Sequence, residues 1–372
     1  MPREANGVDF WRGFALVTIF IDHIPGLVYT HYTLANISLS DAADLFVFLA
    51  GWSLRLMAEG RGEHAMPTRA VMLRLGGRAL ELYAAQVLIT MIAIAILAIT
   101  AIVASNPLLL EWNNAAAVFN DPVPTHIGLA VLTHQLGYFD ILPLYVVLML
   151  LGPLFALIDR YAPHVLLPLS FALYLIVLAF RITLPTWPES GTWFFNPLAW
   201  QFVFVLGFVM AKDAGIGAVV RRHIVALRIV GVPILIAGAV IVLFDLYPDP
   251  TKVPDPKLFF IADKTYVTPM RVIQFLAQVA VFSVAFRYIR ELGGWVYTRW
   301  FVAPLIGLLA MLGRNSLYVF CIGSLLSLMA QVLRYFYRGY AGIDTAVVIT
   351  GIVIMAITAW LAEARQRIGT AR

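Results

Sequence analysis

The chain has 372 residues, of which 61% are hydrophobic and only 13% charged, and its mean hydropathy is +0.86. Soluble domains are about 45–50% apolar and about 25% charged, so this composition excludes an ordinary water-soluble domain. The formal charge of +5 does not indicate a nucleic-acid-binding protein, because the basic residues stand at the ends of apolar runs rather than on one face of a domain.

Apolar runs of about 18 residues or more recur along the chain, and each can cross a hydrocarbon core of about 30 Å as a helix. The sequence therefore predicts an all-α, polytopic membrane protein with about ten transmembrane helices, in a single domain that covers residues 1–372. The stretch 295–312 is predicted to be interfacial or re-entrant, with an eleventh crossing as the alternative. The predicted spans are 10–30, 41–59, 77–104, 139–158, 164–183, 195–212, 224–245, 269–288, 315–336 and 343–363.

The distribution of Lys and Arg predicts which loops are cytoplasmic, because short cytoplasmic loops are enriched in both residues. The loop after the second predicted span is rich in Arg, and basic residues also follow the sixth, eighth and tenth spans. The longest predicted non-membrane stretch, 104–140, contains no Lys or Arg. We therefore predict that both termini are cytoplasmic and that 104–140 is external, together with the mixed-charge loop 247–268.

The first predicted span contains ionisable residues, which cost about 2.5–3.5 kcal/mol each at membrane depth and usually border a cavity. Arg12 is followed eleven residues later by His23, which stands next to Asp22. Helical rise separates Arg12 from His23 by about 16 Å, which places His23 near the bilayer midplane. An imidazole there can act as a general base toward a hydroxyl, with a carboxylate to orient it. A buried polar pair that joins helices is the structural alternative.

The second predicted span opens with two carboxylates. Ser40 or Asp41 is expected to cap the helix, which would explain Asp41 without a functional role. Asp44 lies one turn further on and is expected to reach His23, because a short loop should make the first two helices antiparallel neighbours. Asp44 is therefore the second candidate, after Asp22, for orienting the histidine.

Three arginines, Arg69, Arg74 and Arg78, precede or open the third predicted span. Arg74 and Arg78 are four residues apart and share one helix face, where guanidinium groups can bind phosphates or a carboxylate. The alternative interpretation is that they only fix the topology.

Cysteine and histidine usage argues against disulfides and metal centres. Cys321 is the only cysteine, and it lies in an apolar run. His126 and His134 lack other ligand types at metal spacing, so we expect no metal.

Two blocks of sequence resemble the OpgC family, whose members succinylate osmoregulated periplasmic glucans. The first is Val8-Asp9-Phe10-Trp11-Arg12-Gly13 with Ile21-Asp22-His23, and the second is Ser40-Asp41-Ala42-Ala43-Asp44 with Phe46-Val47-Phe48-Leu49-Ala50-Gly51. The spacing of Arg12 and His23 is also similar to the wider acyltransferase-3 superfamily. Weaker similarities at Leu142-Pro143-Leu144-Tyr145 and Leu312-Gly313-Arg314-Asn315-Ser316-Leu317 extend the resemblance over most of the chain.

The resemblance implies acyl transfer from a cytoplasmic acyl-CoA, with succinyl-CoA as the expected donor, to a hydroxyl of a periplasmic glycan at the bacterial inner membrane. His23 would be the general base, assisted by Asp22 and Asp44, and Arg12 would contact the donor or developing charge. The expected partners are the lipid bilayer and the glycan, without nucleic acid. Residues expected to bind CoA phosphates are Arg69, Arg74 and Arg78, and those expected to bind the acceptor are Asp9, Asp41 and Trp52.

Two other functions remain open from the sequence. A proton-coupled secondary transporter would use Asp22, His23 and Asp44 as a proton relay, although no inverted repeat is visible. A transmembrane acetyltransferase of the lysosomal glycosaminoglycan type would use the same histidine chemistry with an acetyl group.

Overall fold

The computed structural model describes residues 6–59, 67–294, 299–337 and 339–370. It is 77% helical. The only sheet among the described residues is the short antiparallel pair of β1 (Pro185–Thr186) and β2 (Gly191–Thr192). The prediction of an all-α protein is therefore confirmed.

The described ranges contain fifteen α-helices, which we number in chain order. They are α1 (Gly7–Asp22), α2 (Ala42–Glu59), α3 (Thr68–Val103), α4 (Ala116–Asn120), α5 (Pro122–Ala130), α6 (Ile141–Tyr161), α7 (Leu166–Phe180), α8 (Pro197–Met210), α9 (Gly215–Arg222), α10 (Ile224–Leu243), α11 (Pro269–Phe282), α12 (Ala285–Gly294), α13 (Arg299–Arg314), α14 (Ser316–Tyr337) and α15 (Ala341–Thr370). Short 3₁₀ helices occur at Val28–Tyr32, Leu34–Asn36, Pro107–Asn114 and Lys257–Phe259.

The number of full membrane spans is smaller than predicted. Six helical segments of the described ranges are long and apolar enough to cross a bilayer, or seven if α8 and α9, bent by 76°, form one broken span. A helix lies at every predicted span, but four of the ten are not among these segments: α1, α7 and α8 have only 16, 15 and 14 residues, and α2, with 18 residues, contains the charged residues Asp44, Arg55 and Glu59. A crossing needs about 20 residues, so the count of ten full spans is not confirmed. The six segments are Thr68–Val103, Ile141–Tyr161, Ile224–Leu243, Pro269–Gly294, Ser316–Tyr337 and Ala341–Ile368.

The segment 104–140, predicted to be a long non-membrane loop, folds onto α3. It contains the 3₁₀ helix Pro107–Asn114, α4 and α5, and several of its side chains are buried. The Tyr83 hydroxyl donates to the Ala130 carbonyl at 2.8 Å. Tyr83 lies about 20 residues, and so about 30 Å, before the end of α3. The segment therefore reaches back along the helix that precedes it, unlike an extended external loop.

The described chain forms two compact units, and that they belong to one domain stays a prediction. Unit 1 comprises Met1–Phe46, Ile224–Leu246 and Ile273–Arg372, and unit 2 comprises Val47–His223 and Tyr247–Val272. In unit 1, α1 packs mainly along α13 and α14, and α14 pairs with α15. In unit 2, α3 packs on α6, and α7 packs on α8.

Glycines allow the closest helix crossings in each unit. A Cβ atom at Gly13 would lie 1.9 Å from the Leu309 carbonyl oxygen, and one at Gly313 would lie 1.8 Å from that of Asp9. The reciprocal positions show that α1 and α13 run antiparallel with their backbones in contact. In unit 2, the same holds for α2 and α8. A Cβ atom added at Gly51 would overlap the Phe204 carbonyl oxygen, and one added at Gly207 would overlap the Phe48 carbonyl oxygen.

Candidate functional site

His23 lies at the C-terminal end of α1 and not within a longer span. Its N–H donates to the Ile19 carbonyl at 3.0 Å, and the helix ends at Asp22. Pro25 has no N–H to continue the helix, and Gly26 has a φ of +73°, so the chain turns here. The prediction of a first helix over residues 10–30 is therefore wrong at its C-terminal end, although His23 remains partly buried.

Polar side chains of α14 hold the carbonyl groups at this end of α1. Ser327, Gln331 and Arg334, which we call the α14 polar row, are spaced so that they share one helix face. Ser327 Oγ shares its proton between the Phe20 carbonyl at 3.0 Å and the Gly323 carbonyl of its own helix at 2.9 Å, and Gln331 Nε2 donates to the His23 carbonyl at 2.7 Å. The end of a helix leaves carbonyl groups without intrahelical partners, and the row supplies donors for them.

Arg334 completes the row at the turn after His23. It donates to the Gly26 carbonyl at 2.6 Å and forms an ion pair with Asp344 of α15. Asp344 is only 1% exposed, and its second carboxylate oxygen accepts the Val28 N–H at 3.0 Å. The backbone on both sides of His23 is therefore fixed by α14 and α15.

Asp41 and Asp44 form a reciprocal cap at the start of α2. The Asp41 carboxylate accepts the Ala43 N–H at 2.9 Å, and the Asp44 carboxylate accepts the Asp41 N–H at 2.9 Å. This is the hydrogen-bond pattern of a capping box, with aspartate in place of glutamate at the third helical position. The prediction that Asp41 caps the helix is confirmed. Asp44 is fully buried, and its pairing with His23 stays a prediction.

A buried amide–hydroxyl network supports the loop before this cap. Ser40 Oγ donates to Gln278 Oε1 at 2.8 Å, while Gln278 Nε2 donates to Ser38 Oγ at 2.7 Å. Gln274 Nε2 also donates to Ser38 Oγ, at 3.2 Å. Sequence reasoning missed these two glutamines, although two amides four residues apart in an apolar helix were a usable signal.

Arg12 lies far from His23 along α1. The two residues are separated by about 16 Å of helical rise, so one small group cannot contact both side chains directly. Asp9, which is buried, lies one turn before Arg12, where α1 crosses α13 at Gly313. The neighbouring Arg314 pairs with Glu363 of α15 at 2.8 Å. The end of unit 1 that contains Asp9 and Arg12 is therefore also charged, and it is distinct from the His23 end.

The predicted phosphate-binding arginines lie in unit 2, on the first three turns of α3. The helix begins at Thr68, nine residues before the predicted start of the third span, so all three arginines are helical. Arg69 and Arg74 are exposed, and Arg74 donates to the Met57 carbonyl, an uncharged group, at 3.5 Å. Arg78 pairs with Glu81 at 2.6 Å, which partly neutralises its charge. Arg74 is thus better placed than Arg78 to meet an anion.

A second group of charges in unit 2 joins the ends of three helices. Asp159, at the end of α6, is 7% exposed and binds Arg55 of α2. The Lys212 ammonium, just after α8, lies 3.6 Å from the same carboxylate. Trp52 is half-buried one turn before Arg55, and its ring lies 6.1 Å from that of Phe48. These contacts place Trp52 near the end of unit 2 that carries Arg55 and Asp159.

Two further residues of unit 2 were missed by sequence reasoning. Burial raises the pKa of the Asp140 carboxyl, just before α6, to about 6, while the Lys264 ammonium acts in the opposite direction. Gln86 is an uncharged amide buried within the long apolar run of α3. Gln86 carries no charge, and Asp140 stands at the edge of an apolar run, so neither residue is distinctive in the sequence. Among the described residues, no group of three or more His, Cys, Asp or Glu side chains is arranged to hold a metal ion.

Comparison with known proteins identifies the family. No curated protein matches the chain. The family model described as OpgC protein matches residues 3–367, nearly the whole chain, including both blocks of α1 and α2. The chain therefore belongs to the OpgC family.

Proposed function

We propose that this protein is a membrane O-acyltransferase that transfers a succinyl group from cytoplasmic succinyl-CoA to a hydroxyl of a periplasmic glucan. Membership of the OpgC family indicates an acyltransferase that acts on periplasmic glucans, and it is the observation that carries the proposal. The succinyl group, the CoA donor and the direction of transfer belong to the proposal. We place the protein in the bacterial inner membrane with both termini cytoplasmic.

His23 is the proposed general base. Its imidazole removes the proton of the acceptor hydroxyl while that oxygen attacks the thioester carbonyl carbon. A C–O bond forms, the C–S bond of the thioester breaks, and CoA leaves as a thiol once it gains a proton. The α14 polar row supports this role, because a base fixed at its backbone keeps its ring within reach of the reacting hydroxyl.

The carboxylates of Asp22 and Asp44 are proposed to assist His23. Asp22 adjoins His23 in sequence, and Asp44 is buried, so either can orient the imidazole and stabilise the positive charge that forms on it. Asp41 already caps α2, which gives it a structural role beside its proposed contact with the acceptor. Asp9 and Trp52 complete the proposed acceptor-binding residues.

Basic residues at the proposed cytoplasmic end are proposed to bind the acyl-CoA donor. Arg12 is proposed to contact the thioester or the negative charge that develops on it. The residues proposed to bind the CoA phosphates are Arg69, Arg74 and Arg78. Of these, Arg74 is expected to contribute most to phosphate binding, because its guanidinium is exposed and has no acidic partner within its own helix turn, whereas Glu81 pairs with Arg78.

The proposal is tested with the purified full chain in phosphatidylcholine nanodiscs, supplied with succinyl-CoA and a gluco-oligosaccharide. We expect free CoA and a succinyl ester of the oligosaccharide in equal amounts, measured by thiol titration and mass spectrometry. A rise in free CoA without an ester would indicate hydrolysis only. Neither product, together with substrate-driven proton flux in proteoliposomes, would overturn the proposal in favour of a transporter.

A further inference from the structure

A cavity of unit 2, lined by both apolar and polar side chains, lies between α3 and the segment that folds back onto it. The cavity has a volume of about 100 Å³. A water molecule takes up about 30 Å³, so there is room for about three groups of that size. The side chains that define its chemistry are Tyr83, Gln86 and Thr90 on α3, with His126 and His134 from the segment 104–140. We call it the α3–α5 pocket.

Gln86 is the residue of this pocket that most needs a ligand. It is 4% exposed, and its Nε2 donates to Thr90 Oγ1 on the same helix at 3.1 Å. Its Oε1 is buried and has no hydrogen-bond partner among the described residues. A buried amide that joined helices would bond to a neighbouring helix, but the hydrogen bond of Gln86 to Thr90 stays within α3. A buried acceptor without a donor is destabilising, so the geometry favours a donor supplied by a ligand.

Two other polar groups of the α3–α5 pocket also leave acceptors available. His126 Nδ1 lies 2.6 Å from the Pro122 carbonyl, so this nitrogen carries the proton and Nε2 is an acceptor. The Tyr83 hydroxyl donates its proton to Ala130, which leaves its oxygen able to accept. His134, in contrast, leaves no acceptor for a ligand, because its Nε2 lies 3.1 Å from the Asn114 carbonyl and its Nδ1 lies 3.8 Å from the Glu189 carboxylate. The acceptors of His126 and Tyr83 select a ligand rich in hydroxyl groups.

The remaining lining residues of the α3–α5 pocket favour an uncharged ligand with apolar groups. Val87, Met91 and Leu129 supply apolar contacts, and among the residues that the structure describes no Lys or Arg lines the pocket. A phosphate or carboxylate would therefore meet acceptors without a compensating cation. A sugar presents hydroxyl donors together with apolar C–H groups, and its hydroxymethyl edge fits the available volume.

We propose that the α3–α5 pocket binds the hydroxyl-bearing edge of a sugar residue of the glucan acceptor, away from the residue that is acylated. This inference rests on the proposed function for the identity of the glycan. The segment that forms one wall, 104–140, is predicted to be on the external side, where the glycan is. Polar side chains at membrane depth usually border a substrate path, which is the setting of Gln86 and Thr90.

The test measures binding of a fluorescently labelled gluco-oligosaccharide to the full chain in phosphatidylcholine nanodiscs, by equilibrium dialysis. Gln86→Met keeps much of the side-chain volume and removes the amide, and we expect it to weaken binding about tenfold, as loss of a buried hydrogen bond does. The acceptor KM should rise by a similar factor, with the donor KM unchanged. Thr100→Val is the matched control, because Thr100 is a buried residue of α3 that bonds only to the Ile96 carbonyl.

His126→Phe provides a second test should Gln86→Met fail to fold, because His126 is exposed and its replacement leaves the core intact. Unchanged oligosaccharide binding in a folded Gln86→Met or His126→Phe variant would overturn the inference. Displacement of the label by glycerol or phosphatidylglycerol, but not by excess unlabelled oligosaccharide, would also overturn it in favour of a lipid headgroup. Gln86-dependent binding without any acyl transfer would support the pocket and refute the proposed function, so the two can fail separately.

Discussion

His23 owes its position to the residues that follow it. Pro25 and Gly26 end α1, and the carbonyl groups exposed by that ending are the ones that the α14 polar row binds. A histidine in the middle of a continuous helix would be held by the helix alone. At a helix end its backbone depends on α14 and α15, so its orientation is a property of the packed unit.

We predict that His23→Gln abolishes acyl transfer while the protein remains inserted and folded. Glutamine keeps much of the volume and hydrogen bonding of histidine, but it cannot act as a base. Loss of general-base assistance typically lowers kcat by about 10²–10⁴-fold. The measurement is succinyl ester formation in nanodiscs, with His31→Gln, an exposed histidine nearby, as the control. Transfer by His23→Gln at a near wild-type rate would refute the mechanism.

We predict that Arg74→Ala raises the donor KM more than Arg78→Ala does. Arg78 is already paired with Glu81, so its removal costs less phosphate attraction. Loss of a charge-assisted contact formed equally in ground and transition states should raise the KM up to about tenfold with kcat little changed. Initial rates over a range of succinyl-CoA concentrations measure both constants, and Arg222→Ala on α9 is the control. If the donor KM is the same in wild type and Arg74→Ala, Arg74 does not bind the donor and contributes only to the membrane topology.

At the scale of elements, the crossing of α1 and α13 determines where the family blocks lie. Gly13 belongs to the first block and Gly313 to a weaker one about 300 positions later, and each meets the backbone of the other helix. The two blocks are therefore one structural feature. Their glycines have a packing role, which needs no contact with substrate.

We predict that Gly313→Ala lowers the thermal unfolding midpoint. The new methyl group would overlap the Asp9 carbonyl, and overpacking of this kind typically costs about 1–3 kcal/mol. Gly307→Ala on the same helix is a matched control, because nothing lies within 4 Å of its added Cβ. The control should be neutral or slightly stabilised by the better helix propensity of alanine. Equal midpoints for the two variants would contradict the close crossing.

We predict that Gln331→Met lowers kcat by about tenfold to a hundredfold without raising either KM, because a small displacement of a base is costly. Gln331 binds the His23 carbonyl and is a positioning residue, so its effect should pass through the imidazole. The decisive measurement combines the two changes. In the His23→Gln background, Gln331→Met should have no further effect on the residual rate. Equal losses in both backgrounds would show that Gln331 acts only on packing.

Much of this arrangement at the element scale could be predicted from the sequence, and the remainder could not for physical reasons. Apolar runs located all six described segments that are long enough to cross a bilayer, because burial in lipid requires such runs, but they did not show which predicted spans would be shorter helices. The early end of α1 was readable from Pro25 and Gly26 but was outweighed by the continuing apolar run. The pairing of α1 with α13 joins residues far apart in sequence, and no periodicity encodes it. Gln331 and Gln86 carry no charge, so a search for ionisable residues in apolar runs passed over both.

At the scale of the whole molecule, unit 2 has two ends with different chemistry. At one end Asp159 binds Arg55 and Lys212, while Arg160 donates to Thr68 at 3.3 Å. The ends of α2, α6 and α8 and the start of α3 are therefore on one side. At the other end the polar contacts join loops to one another and to the first turn of α8. His134 contacts the Asn114 carbonyl, Thr133 the Trp187 carbonyl, and Trp200 of α8 the Lys264 carbonyl, each at 3.1 Å.

This arrangement and the distribution of Lys and Arg together predict the topology. Fusions near residues 65, 217 and 370 should report the cytoplasm, and fusions near 115 and 255 the periplasm, with alkaline phosphatase and a fluorescent protein as paired reporters. Residue 65 itself lies outside the described residues, but the helix ends that flank it share the side of Asp159 and Lys212. The predicted cytoplasmic location of residue 370 rests only on the distribution of charge, because Arg365 and Arg367 follow the apolar part of α15.

The five fusions test separate parts of the predicted topology. Opposite signals at 65 and 217 would contradict the side shared by Arg55, Asp159 and Lys212, and so the packing of unit 2. A cytoplasmic signal at 115 would remove the α3–α5 pocket from the side of the glycan. A periplasmic signal at 370 alone would leave unit 2 intact and require an odd number of crossings. The short apolar helix α13, which covers most of the predicted interfacial stretch 295–312, would then be the additional span.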